Sequence, residues 1–112
     1  MRILIDANII IYSAHKDKES LRKWLQKQSL SISSINQLEV LGYHKITKEE
    51  IVLSKNFFSL CQIISITQTI IEEAIKFRQE KSMSLGDSIV AASAKENNLP
   101  IATANIKDFE HI

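Results

Sequence analysis

Four short apolar runs, RILID (2–6), LSIS (30–33), CQIISI (61–66) and PIATA (100–104), are spaced along the chain by longer stretches of helical periodicity. Runs of this length read as strands, and strands that return only through helices pair in parallel by crossover connections. The stretches between them read as helical segments from Asn8 to about Lys27 broken near residues 15–19, then a helix over about 34–43. TKEEIVLSKNFFSL, TQTIIEEAIKFRQEKS and LGDSIVAASAKENN read as three further helices, and IKDFEHI closes the chain. The expected architecture is an α/β domain with a parallel sheet, in which ligands bind beyond the carboxyl ends of the strands.

A chain of 112 residues is expected to form one domain, residues 1–112, and no Pro/Gly/Ser linker, low-complexity segment or repeat divides it. No apolar run approaches the ~20 residues of a membrane helix, no signal peptide is visible, and the single cysteine cannot form an internal disulfide. The simplest reading is a cytoplasmic protein with no membrane attachment. With only Gly42 and Gly86, neither GxGxxG nor the Walker A loop is present, which excludes the familiar nucleotide cofactors.

The apolar residues flanking Asp6 and Asn8 in ILIDANIII place both polar side chains where burial is expected. A carboxylate there must be paired, hydrogen-bonded or bound to a metal. Asp6 ends the first strand, Glu39 lies in the helix after the second, Asp87 starts the helix before the fourth, and Asp108 follows the fourth. This topology can bring the four carboxylates to one rim. Taken singly, each has an ordinary reading: Asp6 as a helix cap, Glu39 as an exposed glutamate at the edge of an apolar face, and Asp87 as the acid of a Ser-x-x-Asp cap from Ser84. Asp108 and Asn105 both suit a turn. If the four acids are a metal-neutralised cluster, 14 bases face nine other acids, a balance of about +5 instead of the formal +1. Such a balance suits a polyanion.

The remaining chemistry-bearing residues have plainer readings. His15, His44 and His111 lack metal-ligand spacing and read as surface or rim residues, and Cys61 as a core thiol. Trp24, Phe57, Phe58, Phe77 and Phe109 fit apolar faces better than a base-stacking platform. Lys16, Lys18, Arg22, Lys23 and Lys27 read as a solvated helix face that could also touch an RNA backbone. No Ser/His/Asp nucleophilic set stands out.

The words LIDANIIIY, SSINQLEVLGY, LGDSIVAASAKENNLP and IATANIKDF, in this order over nearly the whole chain, resemble the PIN domain and within it the VapC-type toxins. The resemblance implies a Rossmann-like three-layer fold with a parallel sheet of four or five strands flanked by helices. It also implies cleavage of RNA with Mg²⁺ or Mn²⁺ at a carboxylate cluster, a small antitoxin partner and a homodimer. Position by position, Asp6, Glu39 and Asp87 match the first three acids, and the fourth place falls to Asp108, Asn105 or both. Thr103 and Asn8 match the family's polar residues in the same words, and with Asn105 they are the substrate-positioning candidates. By the same resemblance Asp6 and Asp87 would hold the metal most directly, with Glu39 and Asp108 binding through water or a second ion.

Three features depart from the family pattern: Ala7 where Thr or Ser is usual, Ala104 where Arg is frequent, and an end at Ile112 where many relatives add a short strand. The rival reading is therefore a catalytically degenerate PIN-like module that binds RNA or a partner without cleaving. A receiver-type domain fits less well, since IDAN lacks a second adjacent acid and no lysine directly follows IATA. A haloacid-dehalogenase-type phosphatase needs Asp-x-Asp, and Asn8 breaks it.

Overall fold

The run RILI alternates its side chains across a pleat and is apolar on both faces after the first residue, so it forms a strand covered on both sides. In the computed structural model, which describes residues 2–13 and 17–103, this is β1 (Arg2–Ile5). There follow α1 (Ala7–Ser13), α2 (Glu19–Gln26), β2 (Ser29–Ser33), α3 (Ser34–Leu41), α4 (Lys48–Ser59) and β3 (Gln62–Ile64). The described chain ends with α5 (Gln68–Glu80), α6 (Leu85–Glu96) and β4 (Ile101–Ala102).

Among the described residues every strand pair is parallel, and the order across the sheet is β3-β2-β1-β4. Ile3 lies opposite Leu30, and Leu4 lies opposite both Ser31 and Ile101. Because side chains alternate, Ile3, Ile5, Leu30 and Ile32 face one layer with Ile10, Leu25, Val40 and Phe58. Leu4, Ile64 and Ile101 face the other layer, packed against Ile70, Ala74, Phe77 and the buried α6 residues Ile89, Val90, Ala91, Ala92 and Ala94. This is the expected three-layer α/β fold with a parallel sheet, here of four strands among the described residues.

Helix starts follow local chemistry. Ser33, Thr47, Thr67 and Ser84 each accept a backbone N–H of the next turn, at the starts of α3, α4, α5 and α6. At the end of α6, Leu99 N–H donates to Ala94 O at 2.9 Å and Asn98 N–H to Lys95 O at 3.3 Å. Asn98 takes the left-handed conformation (φ 52°) that this closure needs and that asparagine tolerates. Pro100 then prevents the helix from resuming. Between α5 and α6, Glu73 accepts from Lys95 at 2.8 Å and Lys76 at 3.4 Å, which draws its carboxyl below the usual range.

Several expectations need adjustment. β3 and β4 are shorter than their apolar runs, and Trp24 is exposed on α2 instead of lying in an apolar face. Cys61 is half-buried between α4 and β3, where its thiol donates to Phe57 O at 3.5 Å. His15, Lys16, Ala104, Asn105, Asp108, Phe109 and His111, with the closing segment IKDFEHI, lie outside the described residues. Among the described residues no helix is long and apolar enough to cross a membrane.

Ser31 sits fully buried at the sheet centre, and its hydroxyl has no hydrogen-bond partner among the described residues. A buried hydroxyl without a partner costs about 1–3 kcal/mol, whereas a methyl group there loses nothing to water. Ser31→Ala is therefore expected to stabilise the protein by about 1 kcal/mol. A melting curve checks this: the midpoint should rise by several degrees, and a fall would contradict it.

Candidate functional site

The strand order reverses beside β1, because β2 and β3 step away on one side and β4 returns on the other. At such a switch point the carboxyl ends of adjacent strands leave a crevice for ligand. Asp6 follows β1 and Thr103 follows β4, so both stand at this crevice. Asp6 N–H donates to Ala102 O at 3.3 Å, which ties the two strand ends together.

Asp6 is only 4% exposed, and both of its oxygens are engaged. Oδ1 accepts Ile9 N–H at 3.1 Å, making Asp6 the cap of α1, and Oδ2 accepts the Thr103 hydroxyl. The capping reading of Asp6 is thus correct, and it does not exhaust the residue. A carboxylate offers about four acceptor sites, so two hydrogen bonds orient the group and leave lone pairs for a cation. Asn8 is half-buried in the first turn of α1.

Glu39 reaches the same region from α3. The residue as a whole is exposed, yet its carboxyl group is tucked against Gly86 in the first turn of α6. That partial burial pushes its pKa above the usual glutamate value. A hydrogen bond from Asn36 opposes the rise, and the negative charges of Asp87 and then Asp6 add to it. Asp87 is half-buried in the first turn of α6, where its N–H donates to Ser84 Oγ at 3.1 Å. Acids 33 and 48 positions apart in sequence, counting from Asp6 to Glu39 and from Glu39 to Asp87, are therefore electrostatic neighbours.

Asn36 was not among the residues singled out from sequence. It is fully buried, its Oδ1 accepts Ser33 N–H at 3.2 Å and its Nδ2 donates to Glu39 Oε1 at 3.2 Å. The spacing Ser33-x-x-Asn36 does signal a reciprocal helix cap. Nothing in that spacing signals the second arm toward Glu39.

The donors gathered here are carboxylate oxygens, the ligands of hard cations such as Mg²⁺ and Mn²⁺. Among the described residues no three acid, histidine or cysteine side chains converge closely enough to enclose an ion. Mg²⁺ commonly takes one or two carboxylates and keeps several waters, so the donor set suits it better than a metal that needs a closed protein cage. Cysteine chemistry finds no support, because burial pushes the Cys61 thiol up to about 11.

An open cleft of about 720 Å³ runs from Glu39 between α1, α3 and α4. Its walls are mostly apolar, with Ile10, Ile11, Val40, Tyr43, Ile46 and Leu53, and Glu49 and Glu50 lie along it. Ile11, Tyr43 and Leu53 are each about half exposed.

The PIN domain family model matches residues 3–112. No curated protein sequence matches the chain significantly. A toxin–antitoxin complex from Klebsiella pneumoniae is similar over 98% of this chain and 92% of its own, with 30% identity and a TM-score of 0.79. VapBC2 from Rickettsia felis, bound to a DNA fragment from its promoter, is similar over 100% of this chain and 93% of its own, at 25% identity and a TM-score of 0.86. DNA-bound VapBC from Salmonella typhimurium shares the fold at 20% identity and a TM-score of 0.85, covering 98% of this chain and 91% of its own.

Proposed function

This chain belongs to the PIN domain family, and we propose that it is a metal-dependent endoribonuclease, the toxin of a VapBC-like toxin–antitoxin pair acting in the cytoplasm. The observation that carries this reading is Asp6, a buried carboxylate at the switch point of the sheet, oriented through both oxygens and charge-coupled to Glu39. A structural cap needs one oxygen and no neighbouring acids. A cation site needs a fixed carboxylate with others nearby.

Asp6 and Asp87 are the proposed direct ligands, with Glu39 and Asp108 binding through water or at a second ion. The bound cation would polarise the scissile phosphate, lower the pKa of an attacking water and stabilise the leaving oxygen. The protein's own part is positional. The α1 cap and the Thr103 hydroxyl hold the plane of Asp6. Asn36 holds one oxygen of Glu39. Asn8, Thr103 and Asn105 are proposed to position the RNA backbone.

The cleft beside Glu39 supports the antitoxin partner. An amphipathic segment could lay apolar side chains on Ile11, Tyr43 and Leu53 and direct basic groups toward Glu39, Glu49 and Glu50. The toxin–antitoxin complexes that share this fold support that assignment; a homodimer is proposed from the motif resemblance alone.

The deciding experiment incubates the purified protein with total RNA in Mn²⁺ and follows both binding and fragment formation. Discrete fragments are expected. Retention of RNA without fragments would favour the degenerate binding module.

A further inference from the structure

The carboxyl group of Glu39 is held from two sides. On one side, Asn36 Nδ2 donates to Oε1 at 3.2 Å. On the other, Oε2 occupies the space that a side chain at position 86 would need. A Cβ built on Gly86 would overlap Oε2 and come within 2.9 Å of Glu39 Cδ. No positive φ requires glycine at position 86. Glycine weakens a helix relative to alanine, so its presence in α6 calls for another reason, and the notch that admits Glu39 supplies one.

Asn36 is itself fixed. It is fully buried, and its Oδ1 accepts the N–H of Ser33, the last residue of β2. A continuous chain of contacts therefore runs from the end of the sheet, through the Asn36 amide and the Glu39 carboxylate, to the start of α6 beside Asp87. We propose that Asn36 and Gly86 are positioning residues that together aim Glu39 at the divalent-cation site. This inference rests on the metal-dependent reading above. Neither residue is a ligand. Asn36 sets the rotation of the carboxylate, and Gly86 sets how close it comes to Asp87.

Gly86→Ala separates this role from a structural one. The added methyl group meets the far end of a flexible side chain, so Glu39 can swing away at the cost of its hydrogen bond from Asn36 Nδ2. Alanine also favours the helix. The expected result is a melting temperature within a few degrees of wild type, since the helix gain offsets the lost Asn36 bond, together with Mn²⁺ binding weakened roughly 10–100-fold by isothermal titration. In a Glu39→Gln background, Gly86→Ala should weaken Mn²⁺ binding no further, because the charge it displaces is already lost.

Asn36→Ala also removes an arm of the α3 cap and lowers stability, so it is read only by Mn²⁺ affinity at temperatures where circular dichroism shows it folded. There it should weaken binding in the same range. Equally tight Mn²⁺ binding by wild type and Gly86→Ala would overturn the positioning role alone. A folded wild type that binds no Mn²⁺ would overturn both that role and the metal-dependent reading beneath it.

Discussion

Replacing Asp6 by asparagine is expected to abolish RNA cleavage while leaving the fold intact. Asparagine caps a helix as well as aspartate does, so its side-chain oxygen can still accept Ile9 N–H. Its amide can donate to Thr103, whose hydroxyl then accepts where it had donated. The lost charge also relieves Glu39, which Asp6 now repels. Stability should therefore hold or rise slightly. The negative charge that would hold the cation is gone, and several kcal/mol of transition-state stabilisation goes with it, roughly 10³-fold or more in rate. Single-turnover cleavage beside a melting curve checks both halves. A rate within tenfold of wild type would remove Asp6 from the catalytic role, and a variant that fails to fold would leave it a structural cap.

The scaffold around this residue was largely written in local patterns. Short apolar runs marked the strands, and Ser84 marked a helix start as a side-chain acceptor to the next turn, a role that Ser33, Thr47 and Thr67 share in the structure. Strand lengths were less legible. The apolar run CQIISI continues to Ile66, but ladder bonds to β2 stop at Ile64, and pairing depends on the partner strand as well as on the run. Trp24 misled for a related reason: α2 buries Leu25 and leaves the indole on its outer side, and a large apolar residue need not be inside.

At the candidate site the limit was different. Asp6 could be singled out because a charge in the middle of an apolar run is costly wherever the chain folds. Glu39 could be named only by its place in the topology and by the motif around it, because its neighbours on α3 describe an ordinary boundary glutamate. Its position follows from how α3 packs against α6, a distance that no periodicity encodes. Gly86 and Asn36 acquire their meaning only with that distance. The fourth position of the site, Asn105, Asp108 or both, lies outside the described residues and stands as a proposal drawn from the motif alone.

Removing the cation is expected to silence the protein, and restoring it should leave a thermal signature with a definite pH dependence. Cleavage should vanish in excess EDTA and return with Mn²⁺. At 100 times its dissociation constant, Mn²⁺ should add about 2.7 kcal/mol to the unfolding free energy, a rise in melting temperature on the order of 10 °C. The sign of the pH effect follows from Glu39. Its folded-state pKa is raised, chiefly by burial of the carboxyl group and further by Asp87 and Asp6. The metal-free fold therefore holds the Glu39 proton more tightly than the unfolded chain does. That contribution to stability is fully present below the unfolded value and is lost as pH rises through the raised folded value. Cation binding runs the other way, since it needs the carboxylates ionised and strengthens over the same interval. The difference in melting temperature between Mn²⁺ and EDTA should thus widen as pH climbs from about 4.5 through the raised Glu39 pKa, and then level off. In Asp6→Asn the difference should stay near zero at every pH. Cleavage that persists in EDTA, or a thermal shift that the Asp6→Asn protein retains, would contradict a cation site built on this residue.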